Sequence, residues 1–127
     1  MDIALAIIRH PHTEAILIAR RKDSVHLGGL WEFPGGKCLA GEAPAECAVR
    51  EALEETGLDI EIVEAWPVFS YAYPERTVTL YPFLCRAQTE NALPLASREV
   101  RWALPSALNE HAFPPANAWF IARLCEK

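Results

Sequence analysis

The chain has no apolar run approaching the ~20 residues that a membrane-spanning helix needs, although half of its residues are apolar. It is also short of positive charge. Twelve Lys and Arg against 17 Asp and Glu leave a formal net charge of −5, which argues against a partner with a long nucleic-acid backbone, since that calls for a basic face. A small polyphosphate is not excluded, because a bound metal would meet its charge. Cys38, Cys47, Cys85 and Cys125 form no C-x-x-C pair and have no histidine at ligand spacing. Neither a zinc site nor a disulfide framework is therefore indicated. They read as reduced, mostly buried thiols in a cytoplasmic protein. The opening MDIALAII is too short for a signal peptide and carries an acid where one needs positive charge. Repeats and low-complexity segments are absent, and 127 residues fit one domain spanning 1–127.

What the sequence does have is concentrated between Gly35 and Leu58. Gly35-Gly36 after Pro34 signals a turn, and Gly57 reads as the stop of a helix over Pro44 to Thr56. On that helix Glu51, Glu54 and Glu55 fall at i, i+3 and i+4 and share one face. Ala45, Val49, Ala52, Leu53 and Thr56 form the face expected to pack on a core. Stacked like charges destabilise a bare helix by a few tenths of a kcal/mol per pair. A solvated acidic face is one reading; a divalent metal gives the cluster a purpose, because hard cations take oxygen ligands. Arg50 is spaced i, i+4 from both Glu46 and Glu54, so it is expected to bridge two carboxylates and hold one still.

Gly36, five residues, Glu42, seven residues, Arg50-Glu51-Ala52, one residue, Glu54-Glu55, one residue, Gly57-Leu58 resembles the signature box of the Nudix hydrolases. Ala52 departs from it, where a bulkier aliphatic is usual. The resemblance implies an α/β/α sandwich with a mixed β-sheet, and cleavage of nucleoside diphosphates linked to another group with Mg²⁺ or Mn²⁺. It implies Glu54 and Glu55 as metal ligands and Glu51 as ligand or base, with the Gly35 carbonyl adding a backbone oxygen. Glu99 is a candidate for an extra acid downstream of the box. A metal held there polarises a phosphoryl oxygen and lowers the pKa of a bound water.

Around the box, Ile3 to Ile8 and Ala15 to Ala19 read as strands, with His10 and His12 as turn residues. Arg20-Arg21 closes the second strand; Arg21 can also face a nucleotide. Leu30 to Pro34, including Phe33, leads into the glycine turn, where Gly36 and then Lys37 can meet a phosphate. Ile60 to Tyr73 and Thr77 to Arg86 are β-rich runs joined by a hairpin at Pro74-Glu75-Arg76. A polar loop follows, then a short strand from Arg98 to Leu104 and a helical turn from Pro105 to Leu108. Phe113 to Asn117 opens a last helix reaching about Cys125, whose Trp119, Phe120, Ile121 and Leu124 are expected on the sheet.

Tyr73-Pro74-Glu75-Arg76 and Phe113-Pro114-Pro115-Ala116-Asn117 resemble segments of the MutT-type members of the same family. Those hydrolyse 8-oxo-dGTP to the monophosphate and pyrophosphate, as part of nucleotide-pool sanitation. The substrate contacts then include Arg21, Phe33, Gly36, Lys37, Arg76 and Asn117. Asn117 either caps the last helix or reads the base. Its amide could give a proton to O6 and accept the N7 hydrogen that only the oxidised guanine carries. Pro74 stands sixteen residues past the box, where ADP-ribose-cleaving relatives also place a proline. A pyrimidine triphosphate hydrolase and a non-catalytic nucleotide sensor are the other readings. The expected partner is a small nucleotide rather than a nucleic acid or a membrane, and the protein a monomer or dimer.

Overall fold

The computed structural model describes residues 1–25 and 27–126. Its frame is one eight-stranded mixed sheet with the order β3-β2-β1-β7-β5. The strands are β1 (Asp2–Arg9), β2 (Ile16–Arg20), β3 (Trp31–Glu32), β4 (Gly35–Lys37), β5 (Ile60–Ala65), β6 (Phe69–Ala72), β7 (Thr77–Ala87) and β8 (Glu99–Ala103). β4 adds to β1, β6 to β7 and β8 to β2. β1 and β7 are parallel, Asp2 opposite Thr79 through Arg9 opposite Arg86, and every other pairing is antiparallel.

Alternation along β1 assigns the two faces of the sheet. Ala4, Ala6 and Ile8 join Leu17, Phe83, Cys85 and the helix α1 (Pro44–Thr56) in one core. Ile7 points the other way, into a second core with Ile16, Ile18, Leu84, and Phe120 and Ile121 of α2 (Ala118–Leu124). The sheet thus lies between helical layers, the sandwich that the family resemblance implied. Alanine and cysteine dominate the contact of α1 with the sheet: Cys47, Ala48 and Ala52 are fully buried against Ala4 and Ala6. Such small side chains let the helix lie close to the strands, and Ala52 fits that closeness.

The ends of α1 follow the expected signals. Pro44 occupies the first turn, Glu46 accepts a hydrogen bond from the Ala43 backbone N at 3.0 Å, and Gly57 closes the helix at φ 74°. That left-handed angle is open to glycine and costly for other residues. Leu53 departs from the expectation: it is 47% exposed. With Val49 and Ile62 it lines a groove on the outer flank of the helix, because the narrow contact of α1 with the sheet is filled by the smaller residues.

Two further segments differ from the sequence reading. The run from Ile60 to Tyr73 is two strands, both paired to β7. The ladder breaks opposite Pro82, which has no N–H to donate, and the Trp66 backbone N bonds the Pro82 carbonyl at 2.9 Å instead. The last helix is preceded by a separate 3₁₀ turn, Pro115–Asn117. His10 is more than a turn residue: it is buried, its Nε2 lies 2.9 Å from Glu90, and its ring meets Trp102 edge-on. Trp119 packs on Trp66 and Phe69 but is 39% exposed. Cys47 and Cys85 are buried, whereas Cys125 is exposed, and all four cysteines are free thiols. Among the described residues no helix is long and apolar enough to cross a membrane.

Candidate active site

The segment from Trp31 to Lys37 is the seam of the sheet. Its first residues pair with β2, Ala19 opposite Glu32, and its last pair with β1, Ala4 opposite Gly36. The Pro34 carbonyl bridges the change of partner by accepting from the Ala6 backbone N at 2.8 Å. The glutamate face of α1 lies over this seam. Glu55 Oε1 accepts from the Gly35 backbone N at 3.4 Å. A Cβ on Gly36 would sit 2.6 Å from the carboxyl carbon of Glu51, so only glycine permits this close an approach. Gly36→Ala is accordingly expected to lower turnover about tenfold by displacing Glu51, since misplacing a reacting group by about 1 Å can cost ~10²-fold. Measuring kcat beside the melting temperature checks this; a lower melting temperature with unchanged kcat would count against it.

Burial pushes the Glu55 carboxyl up to about 8, with the neighbouring Glu51 carboxyl adding to the shift and Glu32 contributing more weakly. Glu32 is therefore part of this acidic neighbourhood, and the sequence reading did not single it out. Register explains its place. Glu32 pairs with Ala19, whose face carries Leu17 and hence the α1 core. Only period-two alternation from a known strand pairing could have shown this from the sequence.

Arg50 gathers the carboxylates. Its Nε donates to Glu42 Oε2 at 2.7 Å, and Nη2 donates to Glu42 Oε1 and to the Lys37 carbonyl, each at 3.0 Å. Its Nη1 donates to Glu51 Oε1 and Glu54 Oε2, both at 3.0 Å. The expected partner Glu46 is not among these, because its carboxylate closes the start of the helix on Ala43. The fork on Glu42 is bidentate, the strongest form of such a pair. Arg50 holds the Glu42 carboxyl down at about 2, and Glu42 in turn raises the pKa of the guanidinium.

The other residues singled out in the sequence are dispersed. Glu54 is more exposed than Glu51, with 58% of its side chain open against 14%, and it accepts a hydrogen bond from Arg50. Glu99 is not brought to the cluster. It faces Arg20 across β2 and β8 and lies 3.5 Å from that guanidinium and 3.4 Å from Arg101. Arg101 stacks over Trp31 in the α2 core, so Glu99 stands on the opposite face from Glu55. The reading of Glu99 as a metal ligand is corrected accordingly. Phe33, expected as a substrate contact, is 3% exposed and stacks on Phe113 with ring centres 5.4 Å apart. Arg76 is exposed in the β6–β7 turn, one strand beyond β1 from the cluster. Lys37 is exposed, its carbonyl held by Arg50. Arg21 pairs with Glu32 at 2.8 Å. Asn117 is half-buried at the start of α2 on the other face, with helical angles and no side-chain capping bond, so the cap reading fails.

Among the described residues no three His, Cys, Asp or Glu side chains converge as a ready-made metal cage. The donors nevertheless fit a hard cation. Glu51 and Glu55 supply closely placed carboxylates, and among the described residues no cation pairs with the half-buried carboxyl of Glu55. Mg²⁺ is ordinarily held by one or two carboxylates, water and substrate phosphates rather than by a protein cage.

The NUDIX domain family model matches residues 4–123. The chain is 35% identical over 98% of its length to an 8-oxo-dGTP diphosphatase of Escherichia coli K12, covering 95% of that protein. It is 32% identical over 98% of its length to an 8-oxo-dGTP diphosphatase of Haemophilus influenzae, covering 90% of that one. Among solved structures it is similar to MutT, from a structural analysis of the Aliivibrio salmonicida and Vibrio cholerae proteins. There the TM-score is 0.80 at 26% identity, with 97% of this chain and 93% of that one covered.

Proposed function

This chain belongs to the Nudix hydrolase family, in its MutT-type branch, and from that premise we propose a magnesium-dependent nucleoside triphosphate pyrophosphohydrolase acting on 8-oxo-dGTP. The products are 8-oxo-dGMP and pyrophosphate. One observation carries the reading: two carboxylates, Glu51 and Glu55, lie against the glycine seam with Arg50 clamping one of them. Glu51, Glu54, Glu55 and the Gly35 carbonyl are the groups we assign to hold Mg²⁺, or Mn²⁺ in its place. When bound, the cation supplies Lewis-acid polarisation of a phosphoryl oxygen and a water of lowered pKa. Arg50 fixes the carboxylates that it bonds. Arg21 and Lys37 offer positive charge to the phosphates. Asn117 offers an amide to the base.

A panel of nucleoside triphosphates with Mg²⁺, scored for pyrophosphate, tests this. It should include 8-oxo-dGTP, dGTP and dCTP, with ADP-ribose scored for AMP. Fastest turnover of 8-oxo-dGTP, lost in excess chelator, is the expected result. Preference for a pyrimidine nucleotide or ADP-ribose, or turnover without a divalent cation, would overturn it.

Asn117→Ala checks the base reading. A bidentate amide is worth about 1–3 kcal/mol of discrimination between bases, so the preference for 8-oxo-dGTP over dGTP should shrink about ten- to a hundredfold. The shared triphosphate chemistry should be spared. An unchanged ratio of kcat/KM values would remove Asn117 from the specificity machinery.

A further inference from the structure

Glu32 stands where two features meet. One is the carboxylate neighbourhood of α1, which it reaches because the β2–β3 register turns it to that face. The other is a cleft of about 110 Å³ lined by Arg21, Lys22, Val25, Glu32 and Ala96. The hairpin that supports Arg21 continues the same ladder: the Arg21 backbone N bonds the Leu30 carbonyl at 2.9 Å, and Gly29 N returns to the Arg21 carbonyl at 3.1 Å. Arg21, Leu30 and Glu32 therefore share a face. The cleft's far wall is tied to the box helix, since Leu95 N bonds the Glu55 carbonyl at 3.1 Å.

Glu32 Oε1 and Arg21 Nη1 are 2.8 Å apart, with 31% and 30% of the two side chains exposed. The pair is too open to contribute much to stability, because solvent screens exposed ion pairs. An arginine carries considerable rotamer freedom, and pairing with a carboxylate carried on a strand narrows it before a ligand arrives. The cleft also has Lys22 on its wall, so an anionic group entering there meets two cations, one of them already oriented.

We propose that Glu32 is a positioning residue, holding the Arg21 guanidinium at the wall of this cleft so that it meets the phosphate chain of a bound nucleotide. The inference rests on the reading of the protein as a nucleotide hydrolase, and it assigns Glu32 no contact with substrate. Its action is on binding and not on the chemical step.

The test is binding of a dGTP analogue with a methylene bridge between the α and β phosphorus, by calorimetry with Mg²⁺, alongside KM and kcat for the best substrate. Glu32→Ala should weaken analogue binding and raise KM about tenfold, leaving kcat within about threefold. Glu32→Gln, which keeps an oxygen acceptor for Arg21, should restore most of the loss. Arg21→Ala should match Glu32→Ala, and the double variant should be no worse than either, because residues acting as one unit are not additive. Additive losses, a fall in kcat at constant KM, or a lowered melting temperature with unchanged binding would each overturn the proposal. Wild type that binds the analogue but releases no pyrophosphate from any triphosphate would refute the proposed activity alone. Failure of wild type to bind any nucleotide would refute both.

Discussion

Glu55→Gln is expected to lower kcat about 10²- to 10³-fold, the scale at which losing one electrostatic stabiliser registers, while making the metal-free protein more stable at high pH. The two effects have one cause. Burial and the neighbouring Glu51 keep the Glu55 carboxyl protonated to about pH 8 in the folded chain, against an ordinary value of 4.5. Between those values the folded state holds a proton that the unfolded state has released. Stability is therefore complete below about pH 4.5 and falls as pH rises through about 8. Allowing for the solvent that reaches the group, the loss is on the order of 2 kcal/mol, or roughly 5 °C or more in Tm for a chain of this size. Glutamine cannot ionise, so the variant should keep its Tm where wild type loses it. Adding Mg²⁺ should restore wild type and leave the variant unmoved. Calorimetry in chelator at pH 5, 7 and 9, repeated with Mg²⁺, reads all of this. A variant less stable than wild type at pH 9 in chelator, or one with full turnover, would refute the assignment.

Arg50→Ala is expected to reduce kcat by about 10²-fold, because it releases the carboxylates whose placement the chemistry needs. A loss of stability should accompany it. Glu42 and Glu51 are only 13% and 14% exposed at their side chains, so removing their partner strands two poorly solvated carboxylates. Leaving a charge unpaired in such a place costs more than a surface ion pair contributes, and a fall in Tm of roughly 5 °C should accompany the kinetic effect. Arg50→Lys keeps the charge but not the planar fork; it should recover stability more fully than turnover. Stability falling in both variants with kcat untouched would leave Arg50 a structural residue only. The pH profile adds a check. Arg50 holds the Glu42 carboxyl at about 2, so this contribution is present above about pH 4.5 and is lost as pH falls through about 2. Arg50→Ala should shift acid unfolding to higher pH.

Several features were settled by the residues alone, because each depends on neighbours along the chain. The limits of α1, Pro44 and Gly57, follow from local signals, and its stacked glutamates follow from helical periodicity. The hairpin at Tyr73 to Arg76 follows from turn chemistry, and the backbone bonds between Tyr73 and Arg76 bear it out. The signature box is likewise a local pattern, and with it came the family. What needed the tertiary structure were the relations across strands. Glu32 joined the acidic neighbourhood and Glu99 left it because strand register, which no local signal encodes, decides which face each side chain takes. Leu53 turned outward because Ala48 and Ala52 had already filled the space over Ala4 and Ala6. Phe33 went into the core because Phe113, eighty residues later, was there to stack on it. The three glutamates share one face of the helix by periodicity; packing over the glycine seam half-buried Glu51 and Glu55 and left Glu54 exposed.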